Sequence, residues 1–121
     1  MLPSWYASRD LIAASGTQVQ IHNNLSFIPF TLSESSFVHG SLVANQNIGV
    51  YIINSTNANL SPYYLPSKYV YFSGLSNAIS FNLSIAKGSY YLVFFGTNPG
   101  YSAEGATVRV TQSVSFHPIV N

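Results

Sequence analysis

The stretch AISFNLSIAKGSYYLVFF, residues 78–95, decides the fold. In its first half Ile79, Phe81, Leu83 and Ile85 alternate with Ser80, Asn82 and Ser84. Successive side chains of a strand point to opposite faces, so a period of two predicts a strand with one buried and one wet face. Ala86-Lys87-Gly88 then reads as a tight turn that Gly88 permits. Ser89 to Phe95 is a run of aromatic and branched residues of strand length, and such side chains pack well on a pleated surface.

The same pattern extends in both directions. Toward the C-terminus, Val108, Val110, Val114 and Phe116 alternate with Arg109, Thr111, Ser113 and Ser115. Toward the N-terminus, the β pattern starts at Thr17, with Val19 and Ile21 between Gln18, Gln20 and His22, followed by an Asn23-Asn24 turn signal. Leu25 to Leu32 reads as a strand in which Pro29 marks an edge or a bulge, because proline cannot donate to the ladder. Phe37 to Ala44 and Ile48 to Ile53 read as two strands separated by an Asn45-Gln46-Asn47 turn. Asn54 to Ser67 is the longest irregular stretch, and Tyr69 to Phe72 is a short strand. About eight strands and no helical periodicity predict an all-β protein, an antiparallel β-sandwich of jelly-roll type. Residues 1–16 read as an N-terminal tail or linker with one short helical turn, and residues 17–121 as a single domain.

Composition narrows the function. Charged residues make up 6% of 121 positions and the formal net charge is +1. That gives no electrostatic case for nucleic acid or an anionic membrane. No cysteine is present, which removes disulfides and thiolate chemistry. No apolar run reaches the ~18 residues of a membrane helix. Ser, Asn, Thr and Tyr supply the polar surface, and four N-x-[ST] sequons lie among them, at Asn24, Asn54, Asn59 and Asn82. Uncharged groups and glycans solvate a protein at any pH. The expected location is therefore extracellular or cell-surface, with any signal or anchor lying outside these residues.

Candidate chemistry is sparse. His22, His39 and His117 lie in or beside different strands without metal-ligand spacing, and the only acids are Asp10, Glu34 and Glu104. We therefore expect no metal and no cofactor. No serine sits in a G-x-S-x-G elbow, and no pair of acids suggests a glycosidase, so no catalytic residue is expected. Lys68 and Lys87 would need burial beside an Asn and an acid to form an isopeptide bond. Tyr63, Tyr64, Tyr69, Tyr71 and Tyr101, with Trp5, are candidates for an aromatic binding surface, since their rings are apolar while their hydroxyls stay wet.

The order of alternating strand, Lys87-Gly88-Ser89-Tyr90-Tyr91-Leu92-Val93-Phe94-Phe95, polar loop and Ala106-Thr107-Val108-Arg109-Val110-Thr111-Gln112 resembles the end of the pre-peptidase C-terminal-like domain. It is also similar to GOLD-type sandwiches and to surface proteins and filament subunits of thermoacidophilic archaea. Val50-Tyr51-Ile52-Ile53-Asn54 resembles the central strand of such modules. The resemblance covers about residues 17–116 and implies an accessory module in which the final Thr/Val strand pairs beside the Tyr-rich one. It implies a non-enzymatic structural or interaction function, with other surface proteins or copies of itself as partners. The filament resemblance implies assembly by strand complementation, with residues 1–16 and the long terminal strand taking part. Carbohydrate binding through the tyrosines is the other reading.

Overall fold

The alternating stretches form seven strands in the computed structural model, which describes residues 10–21, 25–56, 68–96 and 106–119. They are β1 (Asp10–Ala13), β2 (Gln18–Gln20), β3 (Leu25–Leu32), β4 (Ser36–Asn54), β5 (Tyr71–Ile85), β6 (Gly88–Gly96) and β7 (Thr107–Pro118). Every pairing is antiparallel. The pairing order is β1-β7-β4-β6-β3, with β2 also on β7 and β5 also on β4.

β4 is the spine of the sheet. Its residues 36–44 lie between β7 and β5, and its residues 48–54 lie between β6 and β5. The sheet folds over where these halves meet. Phe116 of β7 lies opposite Val38, and Phe30 of β3 lies, through Tyr90, beside Asn54 at the other end of β4, about 50 Å away in a flat sheet at the usual rise per residue, yet their ring centroids are 6.4 Å apart. Two layers therefore face each other. One is β1/β2, β7, the first half of β4 and the last half of β5; the other is β3, β6, the second half of β4 and the first half of β5. Val38, Leu42, Val50, Ile52, Leu92, Phe94, Val110 and Val114 fill the space between them, each exposed by 1% or less. This is the expected antiparallel sandwich.

Four local expectations change. Asn45-Gln46-Asn47 is not a turn but an exposed bulge within one 19-residue strand. The register moves from Val43 opposite Ala78 to Ile48 opposite Ser76, so the extra residues loop out while β5 continues alongside. The Asn45 side chain uses that position to accept a hydrogen bond from the Thr107 amide at 2.9 Å, which anchors the start of β7. Of the expected strand Tyr69 to Phe72 only Tyr71 and Phe72 are strand, and they merge with Ala78 to Ile85 into the single strand β5. Gly74, at φ +77, makes the bulge that joins them. There the Ser73 hydroxyl accepts from the Val50 amide at 3.0 Å, replacing a ladder bond that the bulge removes.

The third change is at the N-terminal end. Residues 10–13, expected in a tail, form β1 and pair with β7, with Asp10 opposite Phe116. The fourth concerns β7, which does not pair with the Tyr-rich β6; the two pair with different halves of β4, β7 with residues 36–44 and β6 with residues 48–54. The turn at Ala86-Lys87 accordingly carries the chain from one layer to the other. Tyr90 secures that crossing. Its hydroxyl donates to the Ala86 carbonyl at 2.7 Å, and its ring lies over Gly88.

Gly40 sets how closely β4 and β7 approach. It lies on the inner face opposite a bulge in β7, where the register passes from His39–Ser115 to Ser41–Gln112. A Cβ at Gly40 would lie 2.7 Å from Val114 Cγ2 and 2.9 Å from Val114 Cα. Only glycine permits that approach.

Candidate functional site

The two outer faces of the sandwich differ in chemistry. Behind the layer that holds β6, the outward residues are apolar as well as the inward ones. Tyr51, Ile53, Val93 and Phe95 form a second buried cluster, with Leu25, Phe72 and Tyr91 packed against it. This explains the uninterrupted apolar runs in β4 and β6, since strands covered on both sides lose their alternation. Tyr51 stacks on Phe72 at 4.4 Å and 13°, and Tyr69 meets Tyr51 edge-on at 5.3 Å. Phe27 meets Tyr91 edge-on at 5.2 Å. At the margin Phe27, Tyr69 and Leu75 are 48%, 51% and 55% exposed. Burial pushes the Tyr51 phenol above its ordinary pKa, and neighbouring Tyr69 adds to the effect. The described residues of this cluster are uncharged and offer ring faces and phenol hydroxyls.

The opposite outer face is polar. Ser80 and Ser41 hydroxyls hydrogen-bond at 2.9 Å, and Ser41 donates to Gln112 Oε1 at 3.3 Å, so one chain of bonds crosses β5, β4 and β7. A shallow depression of ≈ 510 Å³ opens there, lined by His39, Gly40, Ser41, Ser80, Phe81, Asn82 and Gln112. Beside it the rings of His39 and His117 are 5.6 Å apart, and Phe37 lies 5.6 Å from His117. His39 Nε2 is 3.5 Å from Ser115 Oγ. That pair is no nucleophile and base, because Ser115 is only 2% exposed and its hydroxyl is closed to a substrate. Among the described residues no three His, Cys, Asp or Glu side chains come together as a metal site.

The residues expected from sequence are dispersed. Tyr69 joins the outer aromatic cluster, whereas Tyr71 faces the core and packs on Phe81 at 5.6 Å. They cannot share one binding surface. Burial also raises the pKa of the Tyr71 phenol. Tyr63, Tyr64, Tyr101 and Trp5 lie outside the described residues, as do Asn24, Asn59 and His22. Asn82 is exposed on the polar outer row of β5. Asn54 closes β4 in an Asx turn, its side-chain oxygen accepting from the Thr56 amide at 2.9 Å and the Thr56 hydroxyl at 2.6 Å. Lys68 and Lys87 are both exposed, which removes the buried lysine that an isopeptide bond needs. The juxtaposition of His39 and His117 is not legible in the sequence. It depends on β4 pairing with β7, and residue spacing alone does not specify that.

No family model matches the chain, and no curated protein sequence matches it. Among solved structures it is similar to the crystal structure of the pre-peptidase C-terminal domain of a collagenase from Bacillus anthracis. The TM-score is 0.55 at 12% identity, over 81% of this chain and 89% of that one. At that identity the likeness is one of fold, and it agrees with the paired layers described above. The chain therefore has the fold of a pre-peptidase C-terminal domain.

Proposed function

We propose that the chain is a non-enzymatic extracellular or cell-surface module, N-glycosylated, that acts by contact with other molecules. The observation that carries this reading is the Asn54-Ser55-Thr56 turn. Its two hydrogen bonds both engage the Asn54 carbonyl oxygen, which leaves the amide nitrogen, the atom that receives a glycan, out of them. The turn sits at the end of β4 with Asn54 half-exposed. The low charge and the surface rows of Ser, Thr and Asn support the same reading. So does the Ser115–His39 pair, whose closed hydroxyl argues against hydrolytic chemistry.

Intact-mass measurement of the protein from its source tests the proposal. Native mass should exceed polypeptide mass, and Thr56→Ala should remove the increment of one glycan. An unmodified mass together with cytosolic fractionation would overturn it. The thermoacidophile resemblance belongs to this reading and adds an acid-stable, glycan-solvated surface as its expected setting.

Filament assembly through a donated N-terminal strand is less favoured, because residues 10–13 already pair with β7 of their own chain. Carbohydrate stacking retains Tyr69 as one exposed ring. A glycan array comparing wild type with Tyr69→Ala tests that reading, and equal binding by both would exclude this ring.

A further inference from the structure

β5 is a strand edge without the usual protection. Among the described residues it pairs with β4 alone. Because it belongs to both layers, its free side forms one whole border of the sandwich. It is 15 residues long, Tyr71–Ile85, and contains no Lys, Arg, Asp, Glu or Pro. Exposed strand edges attract other strands, and proteins ordinarily blunt them with charge, proline, bulges or short length. The other edges of this fold follow that rule. β3 carries Pro29 at its middle. β1 and β2 are four and three residues long, and β1 is broken by a register shift between Leu11 and Ala13. β1 and β3 also approach each other, which narrows the opposite border. In β5 the edge is interrupted at the Ser73-Gly74 bulge and again at Ser76–Ala78, where the Ser76 hydroxyl accepts from the Ala78 amide at 3.2 Å and donates to its carbonyl at 2.9 Å; beyond them Ile79–Ile85 is in continuous register with β4.

We propose that the Ile79–Ile85 edge pairs with the same edge of a second copy of this chain, antiparallel about a two-fold axis. Any strand paired antiparallel with its own copy is self-complementary, which is the arrangement of closed symmetric dimers. Here the chemistry suits it along both rows. The outward row, Ser80, Asn82 and Ser84, is exposed and uncharged, so partners meet without repulsion and with hydroxyls and amides to share. The inward row holds Leu83, which is half-exposed although it packs on the core. A strand from a second copy covers that side chain and extends the layer by the width of another sandwich. Main-chain hydrogen bonds give the affinity and the alternating rows set the register. This partner deepens the reading of the chain as a contact module and requires Asn82 to carry no glycan; its test uses the unmodified protein and so depends neither on glycosylation elsewhere nor on location.

The test uses the full chain, unmodified, in analytical ultracentrifugation over a concentration series. Wild type should dimerise. Two charged variants are compared with it, Asn82→Lys with Ser84→Lys and Asn82→Asp with Ser84→Asp. Each places like charges opposite one another across the axis and should weaken self-association by about tenfold or more. Mixing the two variants should restore a dimer, which also shows that both are folded. Amide hydrogen exchange on wild type is read in parallel, and protection across 79–85 should rise with concentration. A wild-type monomer throughout, a dimer indifferent to both substitutions, or concentration-independent exchange of these amides would overturn the proposal. Open-ended polymers instead of dimers would overturn the two-fold pairing. Failure of any of these leaves the mass test of the glycan reading untouched.

Discussion

Replacing Gly40 with alanine gives a direct measure of how tightly the two central strands are held. The added methyl carbon would sit 2.7 Å from Val114 Cγ2, 2.9 Å from Val114 Cα and 3.1 Å from Val114 Cβ. Relaxed carbon–carbon packing begins near ~3.5 Å, so β7 must retreat by roughly 0.8 Å. A rotamer change cannot relieve this, because one of the clashing atoms belongs to the backbone. β7 is itself held on its other side, where Val114 lies opposite Ala13 of β1, and Val114 is fully buried. Overpacking of this kind costs about 1–3 kcal/mol, and the clash with backbone puts Gly40→Ala at the upper end, about 3 kcal/mol. For a domain of this size that corresponds to a fall in Tm of roughly 10 °C. Equilibrium urea unfolding followed by tyrosine fluorescence, with thermal melts beside it, reads the effect. The double variant Gly40→Ala with Val114→Ala should recover only part of the loss, since it removes the clashing γ-methyl group and leaves the main chain of residue 114 where it was. Gly74→Ala is the reference, because a Cβ there meets nothing within 4 Å and only the backbone at φ +77 is strained; it should cost about 1 kcal/mol. If Gly40→Ala costs no more than Gly74→Ala, or if Val114→Ala restores it fully, the argument from backbone approach is wrong.

Other outcomes follow from single interactions. Tyr90→Phe removes the 2.7 Å bond to the Ala86 carbonyl and keeps the ring over Gly88; it should cost about 1 kcal/mol in urea unfolding, and no loss would mean the hydroxyl does not secure the crossing. Tyr51 and Tyr71 have raised phenol pKa values in the fold, the first from burial and then Tyr69, the second from burial. Their neutral forms are therefore favoured by folding. Their contribution to stability is complete below the unfolded value near ~10 and is lost as pH rises through the folded value. Unfolding free energy should thus decline above about pH 10, and Tyr51→Phe should flatten part of that decline; an unchanged alkaline limb would refute the assignment.

The parts of this fold legible in sequence are those where one strand face is dry and the other wet. Ile79 to Ile85 and Val108 to Phe116 declare themselves by alternation, and Pro29 by what it cannot donate. Asn45-Gln46-Asn47 misleads because residues that favour turns also favour bulges, and only the presence of a continuous partner strand distinguishes the two. Ser73-Gly74 misleads in the same way, since a positive-φ glycine can end a strand or merely kink it. Asp10 to Ala13 is too short to show a period, and β7 recruits it by supplying the ladder. For the candidate sites, the sequons can be read directly, but the aromatic surface cannot. Tyr69 and Tyr71 are two residues apart and would share a face in a regular strand. Tyr69 instead precedes the strand proper, which begins at Tyr71, and its ring turns to the outer cluster. Likewise, the His39–His117 neighbourhood requires knowing that the first half of β4 pairs with β7.

The placement of β1 against β7 also has a mechanical consequence. Asp10 lies opposite Phe116, so the flanking chain enters and leaves the sandwich at the same end, on adjacent antiparallel strands. A force drawing residues 10 and 118 apart would open that pair like a zip, loading one residue pair at a time. It would not shear the whole ladder at once. Peeling a four-residue strand requires far less force than shearing a 12-residue one. Under tension between residues 10 and 118, β1 would therefore release first, while the spine strand β4, paired on both sides, stays folded.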